Sequence, residues 1–418
     1  MEEKTHVYVD LGGTSVPVGT LWSRARKGQE SSTFEYQKGW LENPKRFSLE
    51  PALMLGPGPY HTGEGKALFG ALGDSAPDRW GRVLMRRAER RQTKREQRVP
   101  RTLREIDYLL MVDDEARLGA LRFARSEGGL FVREGGQARI PPLIDLPRLL
   151  AAAEHFEEES ETDEDIRLLL APGSSLGGAR PKASVRGADG ELLIAKFPHK
   201  ADETNAVLWE ALALKLAKKA GIQTASWRLE QVSKKPTLLL SRFDRDGTRR
   251  VPFLSAMSML GAKDREPHSY LELVDVLRQH GAQVERDLEQ LWRRIVFYVL
   301  ISNTDDHLRN LGFLYSGNAG WVLSPAYDLN PVPVEVKPRV LTTNIDLDDG
   351  TASIDLVLSV AEYFGLSANR ARTVVREVAK AVGTWRREAA GLGIARTEIE
   401  KVSSAFDHDD FRKTSTRG

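Results

Sequence analysis

Cysteine is absent from the 418 residues of this chain, which excludes disulfide bonds and thiolate metal sites. The chain also lacks an apolar run of membrane-spanning length, and its first residues lack the apolar segment of a signal peptide. The net charge is only +2, so no global attraction to nucleic acid or to a membrane is implied. These absences predict a soluble cytosolic protein with no membrane partner.

Two familiar signatures are also missing. There is no Walker A sequence, because Gly65-Lys66 is followed by Ala67 and lacks the earlier glycine. The eight histidines are scattered and show no zinc-ligand spacing. Hydrophobic residues nevertheless make up 41% of the chain, and its length allows two or three domains with substantial cores.

The amino-terminal part begins with a predicted β-hairpin. Residues 6–10 and 16–22 have the pattern of short strands joined at Gly12 and Gly13, and turn-rich irregular sequence is expected from there to about residue 55. The same stretch, from Asp10 to Thr14, is similar to the first phosphate motif of actin-fold sugar kinases. No partner motif follows it, and a hairpin turn explains the two glycines.

A basic helix is predicted over residues 74–98, with Asp74 or Ser75 as its cap and Pro77 in its first turn. Residues 79–104 contain eleven Lys or Arg and two Glu. A solvated helix face explains such a run, and a docking surface for DNA or an acidic partner is the alternative.

An acidic stretch precedes what is predicted to be a nucleotide-binding lobe. Residues 154–165 hold eight acidic groups and no Lys or Arg, which favours an exposed helix end or loop separating the amino-terminal region from the rest. The lobe that follows has strand-like segments and one amphipathic helix. The strands are predicted at residues 183–186, 192–197, 227–232 and 237–243, and the helix at residues 204–220.

Beyond about residue 246 the pattern is helical. The helix predicted at residues 285–300 has a buried apolar face and leads to Asp305 in a loop. The polar tail after Asp407 is expected to fray. A strand pair is expected at residues 311–315 and 320–323, and further helices at residues 271–280, 356–364 and 369–390.

The strongest chemical signal is an Asp five positions before an Asn, followed by a second Asp. Asp305 and Asn310 lie in the loop Asn-Thr-Asp-Asp-His-Leu-Arg-Asn, and Asp328 follows in Ser-Pro-Ala-Tyr-Asp-Leu. Phosphoryl transfer to a hydroxyl needs this order, with one Asp to orient the hydroxyl and an Asn and a second Asp to hold magnesium. A polar turn is the alternative interpretation.

Three further pieces fit the order of a bilobal kinase. The run of small residues from Gly173 to Gly178 precedes a strand and lets main-chain amides approach phosphate oxygens. Lys196 ends the next strand, within reach of the α- and β-phosphates, and Glu210 in the following helix can pair with it. Each piece has an alternative interpretation. The glycine run can be an ordinary turn, Lys196 a surface lysine and Glu210 an exposed helical carboxylate.

Together these residues resemble the HipA family, the kinase toxins of bacterial type II toxin–antitoxin modules. The match spans nearly the whole chain, and the segment from Phe69 to Gly81 resembles the hallmark of the family's amino-terminal region. The resemblance implies an α+β, bilobal, protein-kinase-like fold. It has an amino-terminal subdomain (residues 1–125), a β-rich small lobe (residues 126–245) and an all-helical carboxy-terminal lobe (residues 246–418).

The resemblance also implies residue roles, with ATP and Mg²⁺ as cofactors. Asp305 is then the catalytic base, Asn310 and Asp328 hold magnesium, Glu210 pairs with Lys196, and Ser175, or the adjacent Ser174, is autophosphorylated. The implied ATP contacts are Gly177, Gly178, Ala179, Arg180, Pro181, Lys182, Lys196, Ser241, Arg242, Phe243, His307, Leu308, Arg309, Asn310, Tyr327 and Asp328.

The chain departs from the best-known members at Arg180-Pro181 and at Ser241, which stand where acidic or amide residues occur. These are backbone-contact positions, so the departures bear on affinity more than on activity. The family implies a helix-turn-helix antitoxin (HipB-like), with operator DNA bound mainly through it, and a protein substrate such as an aminoacyl-tRNA synthetase. The cellular outcome it implies is reversible growth arrest. A catalytically silent co-repressor subunit is the alternative function, with an actin-fold small-molecule kinase less favoured.

Overall fold

The computed structural model describes residues 2–134, 140–173 and 178–416. The chain divides into two compact units, each containing helices and strands. The first unit comprises Met1–Ala201 and Leu229–Leu254, and the second comprises Asp202–Arg228 and Ser255–Gly418. The three-part division at residues 125 and 245 stays a prediction.

Among its described residues, the first unit contains three sheets and six α-helices. The first sheet has the strand order β4-β3-β2-β1-β5, the second has the order β6-β7-β9-β8, and the third pairs β10 with β11. The strands are β1 Glu2–Leu11, β2 Thr14–Arg26, β3 Gln29–Tyr36, β4 Pro59–His61, β5 Leu121–Ala124, β6 Lys182–Arg186, β7 Leu192–Lys196, β8 Trp227–Val232, β9 Lys235–Ser241, β10 Arg245–Asp246 and β11 Arg249–Arg250. The helices are α1 Lys38–Leu41, α2 Gly70–Asp74, α3 Arg79–Arg95, α4 Glu105–Met111, α5 Leu146–Glu157 and α6 Asp163–Gly173.

The predicted hairpin is confirmed, and it is longer than expected. β1 and β2 pair antiparallel from Glu2 opposite Arg24 to Leu11 opposite Thr14. Gly12 and Gly13 make the turn with φ values of 67° and 90°, which glycine adopts without steric cost. The turn accounts for the glycines that resemble an actin-fold phosphate motif.

The expectation of irregular sequence up to residue 55 was wrong, because β3 continues the sheet for eight residues beside β2. Phe34 and Tyr36 are buried on this strand, whereas most of its other side chains are polar and partly or fully exposed. A strand with so few apolar positions gives a weak alternating pattern. The sequence therefore did not reveal it.

The core of the first unit lies where α3, α5 and α6 pack against the second sheet. The Trp80 indole meets the Phe156 ring edge to face, with centroids 5.1 Å apart. Burying a large apolar side chain contributes about 1.5–3 kcal/mol, so this layer is a main source of stability for the unit. Its buried residues include Leu84, Leu149, Leu150, Leu169, Ala183, Val185, Leu193, Ala195 and Phe197.

The basic helix begins later than predicted. α3 starts at Arg79, and its cap is Asp78, whose carboxylate accepts from the Arg79 N–H at 2.7 Å. Pro77 lies before the cap instead of in the first turn, and Asp74 belongs to the separate short helix α2. The helix predicted over residues 74–98 is therefore α3 alone, which starts at Arg79 and ends at Arg95.

The acidic stretch 154–165 is for the most part exposed or partly exposed at a helix end, as predicted, but it lies inside the first unit. It forms the end of α5 and the start of α6, and it pairs with arginines of α3. Arg87 Nη1 lies 3.0 Å from Glu161 Oε2, and Arg91 Nη1 lies 2.9 Å from Asp163 Oδ1. The two opposite charge runs therefore neutralise each other within the first unit.

The second unit is helical apart from short strands, of which the predicted pair near residues 311–323 is confirmed. Its helices are α7 Ala206–Lys219, α8 Ala256–Leu260, α9 Tyr270–His280, α10 Val284–Ile301, α11 Ile354–Ser359, α12 Ala368–Val382, α13 Trp385–Gly391, α14 Arg396–Val402 and α15 Asp409–Thr416. The strands are β12 Phe253–Ser255, at the boundary of the units, and the antiparallel pair β13 Gly312–Tyr315 and β14 Trp321–Leu323. The helix predicted over residues 369–390 is broken between α12 and α13.

The carboxy-terminal tail does not fray as expected. Asp410 on α15 is buried, accepts from the Ile354 N–H at 3.0 Å and pairs with Arg339 at 2.8 Å. The tail is polar because it supplies buried hydrogen-bonding partners, and composition alone does not distinguish that from a solvated end. None of the helices in the described part of the chain is long and apolar enough to cross a lipid bilayer.

Candidate functional site

The candidate catalytic loop follows the long buried helix α10 in the second unit. Ser302 caps α10 with a φ of 50°, in the left-handed region, and so ends the helix sharply. Asp305 is exposed, three residues further on. Asn310 closes the loop, because its Nδ2 donates to the main-chain carbonyl of Asp305 at 2.8 Å. This bond uses the amide nitrogen, so the amide oxygen is the atom that can ligate a cation.

Asp306 supports the loop from the protein interior. Its carboxylate accepts from the Tyr270 hydroxyl and from the Thr342 N–H, both at 2.6 Å. Its main-chain carbonyl accepts from the Thr343 hydroxyl at 2.7 Å. Burial raises the pKa of Asp306 to about 6. The two adjacent carboxylates thus have different environments: Asp305 faces solvent, and Asp306 holds the loop in place.

The segment after β14 carries Asp328 and is tied to the catalytic loop at two points. The Tyr327 hydroxyl donates to the Arg309 carbonyl at 2.8 Å, and the Asn330 N–H donates to Asn303 Oδ1 at 2.9 Å. Asp328 has a φ of 54°, a conformation that costs a non-glycine residue roughly 1–3 kcal/mol and that recurs at functional sites. The hydrogen bonds of Tyr327 and Asn330, on either side of Asp328, hold it in this conformation.

Asn310 and Asp328 offer the oxygen ligands that Mg²⁺ prefers. Among the residues that the structure describes, no group of three or more His, Asp or Glu side chains is arranged to hold a metal ion. Mg²⁺ in nucleotide sites is held by one or two protein carboxyl or amide oxygens together with phosphate oxygens and water. The donor set therefore fits magnesium that arrives with a nucleotide and does not fit a metal held by the protein alone.

The candidate nucleotide groups of the first unit lie at the end of the glycine loop and on the second sheet. Lys182 begins β6 and lies directly opposite Lys196, the last residue of β7, in the antiparallel ladder. Gly178 has a φ of 87°, which only glycine adopts readily. Three predicted residues of the loop, Ser174, Ser175 and Gly177, lie outside the described part of the chain.

Both main-chain polar groups of Gly178 are already bonded within the first unit. Its N–H donates to Asp78 Oδ2 at 2.6 Å, and its carbonyl accepts from the Trp80 N–H at 3.1 Å. In this structure the Gly178 amide is thus occupied by Asp78, and the expected role of Gly178 as an ATP contact stays a prediction. Gly178 is an anchor, and Asp78 and Trp80 are partners that the sequence motif did not identify.

The segment Ser241-Arg242-Phe243, predicted to contact adenine, leaves the end of β9. The Arg242 N–H donates to the Leu192 carbonyl at 3.1 Å, so this amide is already bonded within the first unit. The Arg242 side chain points the other way, and its guanidinium donates to the carbonyls of Ala116 and Arg117 at 2.8 and 3.1 Å. The amino-terminal region thus supports this segment directly.

Asp244 balances the arginines behind this segment. It accepts from Arg242 Nε at 2.7 Å, from Arg245 Nη1 at 2.6 Å and from the Gly119 N–H at 2.8 Å. Burial alone would raise the pKa of Asp244, but the two guanidinium charges outweigh it and hold the pKa well below its ordinary range. Burial lowers the pKa of Arg245 to about 9. In the sequence, the only sign of this cluster is the run Arg242-Phe243-Asp244-Arg245.

Glu210 lies on α7, in the second unit, and only 6% of it is exposed. The alternative of an exposed helical carboxylate is therefore wrong. Asn205 caps α7 by accepting from the Leu208 N–H at 3.2 Å, which fixes where the helix starts. Lys196 belongs to the first unit, and its pairing with Glu210 stays a prediction.

Comparison with known proteins identifies both parts of the chain. Residues 174–385 match the family model described as the HipA-like C-terminal domain, and residues 9–107 match the HipA N-terminal domain. A putative kinase of Haemophilus influenzae is 27% identical over 126 residues, which is 28% of this chain and 36% of the relative. The putative kinase Y4mE of Sinorhizobium fredii is 25% identical over 181 residues, 37% of this chain and 41% of the relative. The chain thus matches less than half the length of these relatives.

A solved structure shares the fold over nearly the whole chain. It is that of the Shewanella oneidensis MR-1 toxin–antitoxin system HipA, HipB and its operator DNA complex. The TM-score is 0.70 and the identity is 17%, over 98% of this chain and 97% of the other. The α+β, HipA-like, kinase-like fold predicted from the sequence is confirmed by this match.

Proposed function

Because this chain belongs to the HipA family, we propose that it is an ATP- and Mg²⁺-dependent serine/threonine protein kinase and the toxin of a type II toxin–antitoxin module. One observation carries the proposal. Asp305 and Asn310 are tied across a loop by a 2.8 Å bond that leaves the Asp305 carboxylate exposed and the Asn310 amide oxygen available to a cation.

Each residue has a separate task in this proposal. Asp305 orients the hydroxyl of the substrate and accepts its proton. A general base does this from within hydrogen-bond distance of the hydroxyl. Asn310 and Asp328 would hold Mg²⁺, which when bound neutralises charge on the phosphate oxygens. Lys196 binds the ATP phosphates, and the main chain of Arg242 and Phe243 binds adenine. Positioning and charge account for catalysis of this kind, so few side chains are needed.

The proposal is tested by intact-mass spectrometry of the purified full-length chain after incubation with Mg–ATP. We expect the gain of one phosphoryl group, which peptide mapping would assign to Ser175 or Ser174. A chain that binds Mg–ATP but gains no phosphate on itself would contradict autophosphorylation, and added protein substrates would then test transfer separately. A chain that neither binds Mg–ATP nor transfers phosphate would favour the silent co-repressor.

The proposed partners are a helix-turn-helix antitoxin and operator DNA, which is bound mainly through the antitoxin. Within the basic run we single out three exposed residues of α3 that could add contacts. Arg86, Arg90 and Lys94 are exposed at four-residue spacing, so they share one helix face. None of the three has an ion pair within residues 2–134, 140–173 and 178–416. We call them the α3 basic stripe.

Reversing the three charges of the α3 basic stripe to Glu should weaken operator binding by the toxin–antitoxin complex. If the three side chains meet DNA phosphates, the slope of log affinity against log salt should flatten by about 2–3, since each contact contributes about 0.9. The matched control reverses Lys27, Lys38 and Lys45, which are exposed in the same unit and give the same change in net charge. Equal slopes for the two variants would show that the stripe is only a solvated face.

A further inference from the structure

Asp78 joins two parts of the first unit that are a hundred residues apart in the chain. One carboxylate oxygen accepts from the Arg79 N–H at 2.7 Å and so caps α3. The other accepts from the Gly178 N–H at 2.6 Å, at the carboxyl end of the glycine loop. A single ionised side chain therefore ties the start of a helix to the loop, through charge-assisted bonds that are stronger than neutral ones.

Trp80 adds two bonds to the same region. Its main-chain N–H donates to the Gly178 carbonyl at 3.1 Å, and its indole Nε1–H donates to the Lys182 carbonyl at 2.9 Å. The indole is 4% exposed and packed in the core of the unit, so it has little freedom to follow a moving loop. Gly178 and Lys182 are thus held at both ends of a five-residue segment.

The segment that is held leads directly to a proposed ATP ligand. Lys182 lies opposite Lys196 in the β6–β7 ladder. Since Lys182 and Lys196 are neighbours across the ladder, fixing the Lys182 main chain also fixes where the Lys196 side chain begins. Any shift of the Asp78–Trp80 segment would therefore change the spacing between Gly178 and Lys196.

We propose that Asp78 and Trp80 are positioning residues, which hold the Gly178–Lys182 segment and Lys196 in the arrangement that receives the phosphates of ATP. The proposal rests on the proposed kinase function. It gives the amino-terminal region a task in catalysis, although neither side chain is assigned a contact with the nucleotide. A helix cap alone does not need an aspartate here, because serine caps as well. It is the second carboxylate oxygen of Asp78 that accepts from the Gly178 N–H.

Two variants separate positioning from folding. Asp78→Ser keeps a good helix cap but removes the carboxylate oxygen that accepts from Gly178. Trp80→Phe keeps an aromatic ring in the core and removes the indole N–H donor together with part of the ring volume. Ser367→Ala is the control, because it removes a helix cap in the second unit, where Ser367 accepts from the Arg370 N–H at 3.3 Å.

Affinities for Mg–ATP and for adenosine are measured for each full-length variant. Adenosine lacks phosphates, so its binding should be unchanged within about twofold if only the phosphate loop is misplaced. A charge-assisted bond contributes about 1.5–3 kcal/mol, which corresponds to a loss of Mg–ATP affinity of roughly 10-fold or more for Asp78→Ser. For Trp80→Phe, which loses a neutral bond, the expected loss is roughly 3- to 10-fold. Ser367→Ala should leave the ratio of the two affinities unchanged.

Amide hydrogen exchange of the nucleotide-free chain gives an independent readout. Peptides covering residues 178–186 should exchange faster in Asp78→Ser than in the unaltered chain or in Ser367→Ala. Unchanged exchange would show that the Asp78–Gly178 hydrogen bond does not hold this segment in place. Faster exchange with an unchanged affinity ratio, or an equal loss of Mg–ATP and adenosine binding, would overturn the positioning role. An unaltered chain that does not bind Mg–ATP would overturn the proposed function and the positioning role together.

Discussion

Replacing Asp305 by Asn should lower the rate of phosphoryl transfer by about 10²- to 10⁴-fold, the contribution of a well-placed general base. The amide cannot accept the proton of the substrate hydroxyl. The fold should be unaffected because the Asp305 side chain is exposed. The bond that closes the loop should also persist, since Asn310 donates to the main-chain carbonyl of Asp305 and not to its carboxylate. The loss should therefore appear in the rate of transfer and not in Mg–ATP affinity or thermal stability.

The adjacent residue supplies a matched control. Asp306→Asn makes the same chemical change one position along, at a buried carboxylate that accepts from Tyr270 and Thr342. The NH₂ group of the asparagine would face either the Tyr270 hydroxyl or the Thr342 N–H, both of which are donors. The lost hydrogen bond should cost about 1–3 kcal/mol of stability. The rates are compared by the phosphate incorporated over time at a temperature where both variants are folded. If Asp305→Asn transfers phosphate at the normal rate, Asp305 is not the base.

The parts of the fold that the sequence revealed were those with strong local periodicity. α10 was predicted because apolar residues recur on one face from Leu288 to Leu300, and that helix determines where the catalytic loop begins. The strands β6 and β7 were predicted because short apolar runs flank a Gly-Ala-Asp-Gly turn. The family resemblance, which rested on four motifs in the right order, is confirmed by the two family models.

The rest depended on contacts between residues distant in the chain. The charge runs on α3 and on α5–α6 were each interpreted as solvent-exposed, because nothing local shows that they face each other. The same limit applies to Asp78, whose bond to Gly178 spans a hundred residues. A motif shows which residues a site needs but not which distant side chains hold them, and tertiary packing decides that.

Replacing Asp244 by Asn should destabilise the first unit by about 3–5 kcal/mol, the cost of leaving buried charges without their partner. Asp244 and Arg242 are almost fully buried, with side-chain exposures of 1% each, and Arg245 is at 6%. The amide keeps the size of the carboxylate and can still accept from Gly119. It removes the only negative charge that contacts the two guanidinium groups, among the residues that the structure describes.

The free energy of unfolding by urea, measured for the full-length chain, would test this expectation. Glu2→Gln is the control, since it removes the carboxylate of an exposed ion pair with Arg24 in the same unit and should cost less than about 1 kcal/mol.

The pH dependence of the stability provides a second check. Because the folded state lowers the pKa of Asp244, its contribution is present above the ordinary value of 3.8 and is lost as the pH falls below it. The difference between the variant and the unaltered chain should therefore shrink in acid. A difference of less than about 1 kcal/mol at neutral pH would mean that the arginines find compensation elsewhere, and that Asp244 is not what holds the Ser241–Phe243 segment to the amino-terminal region.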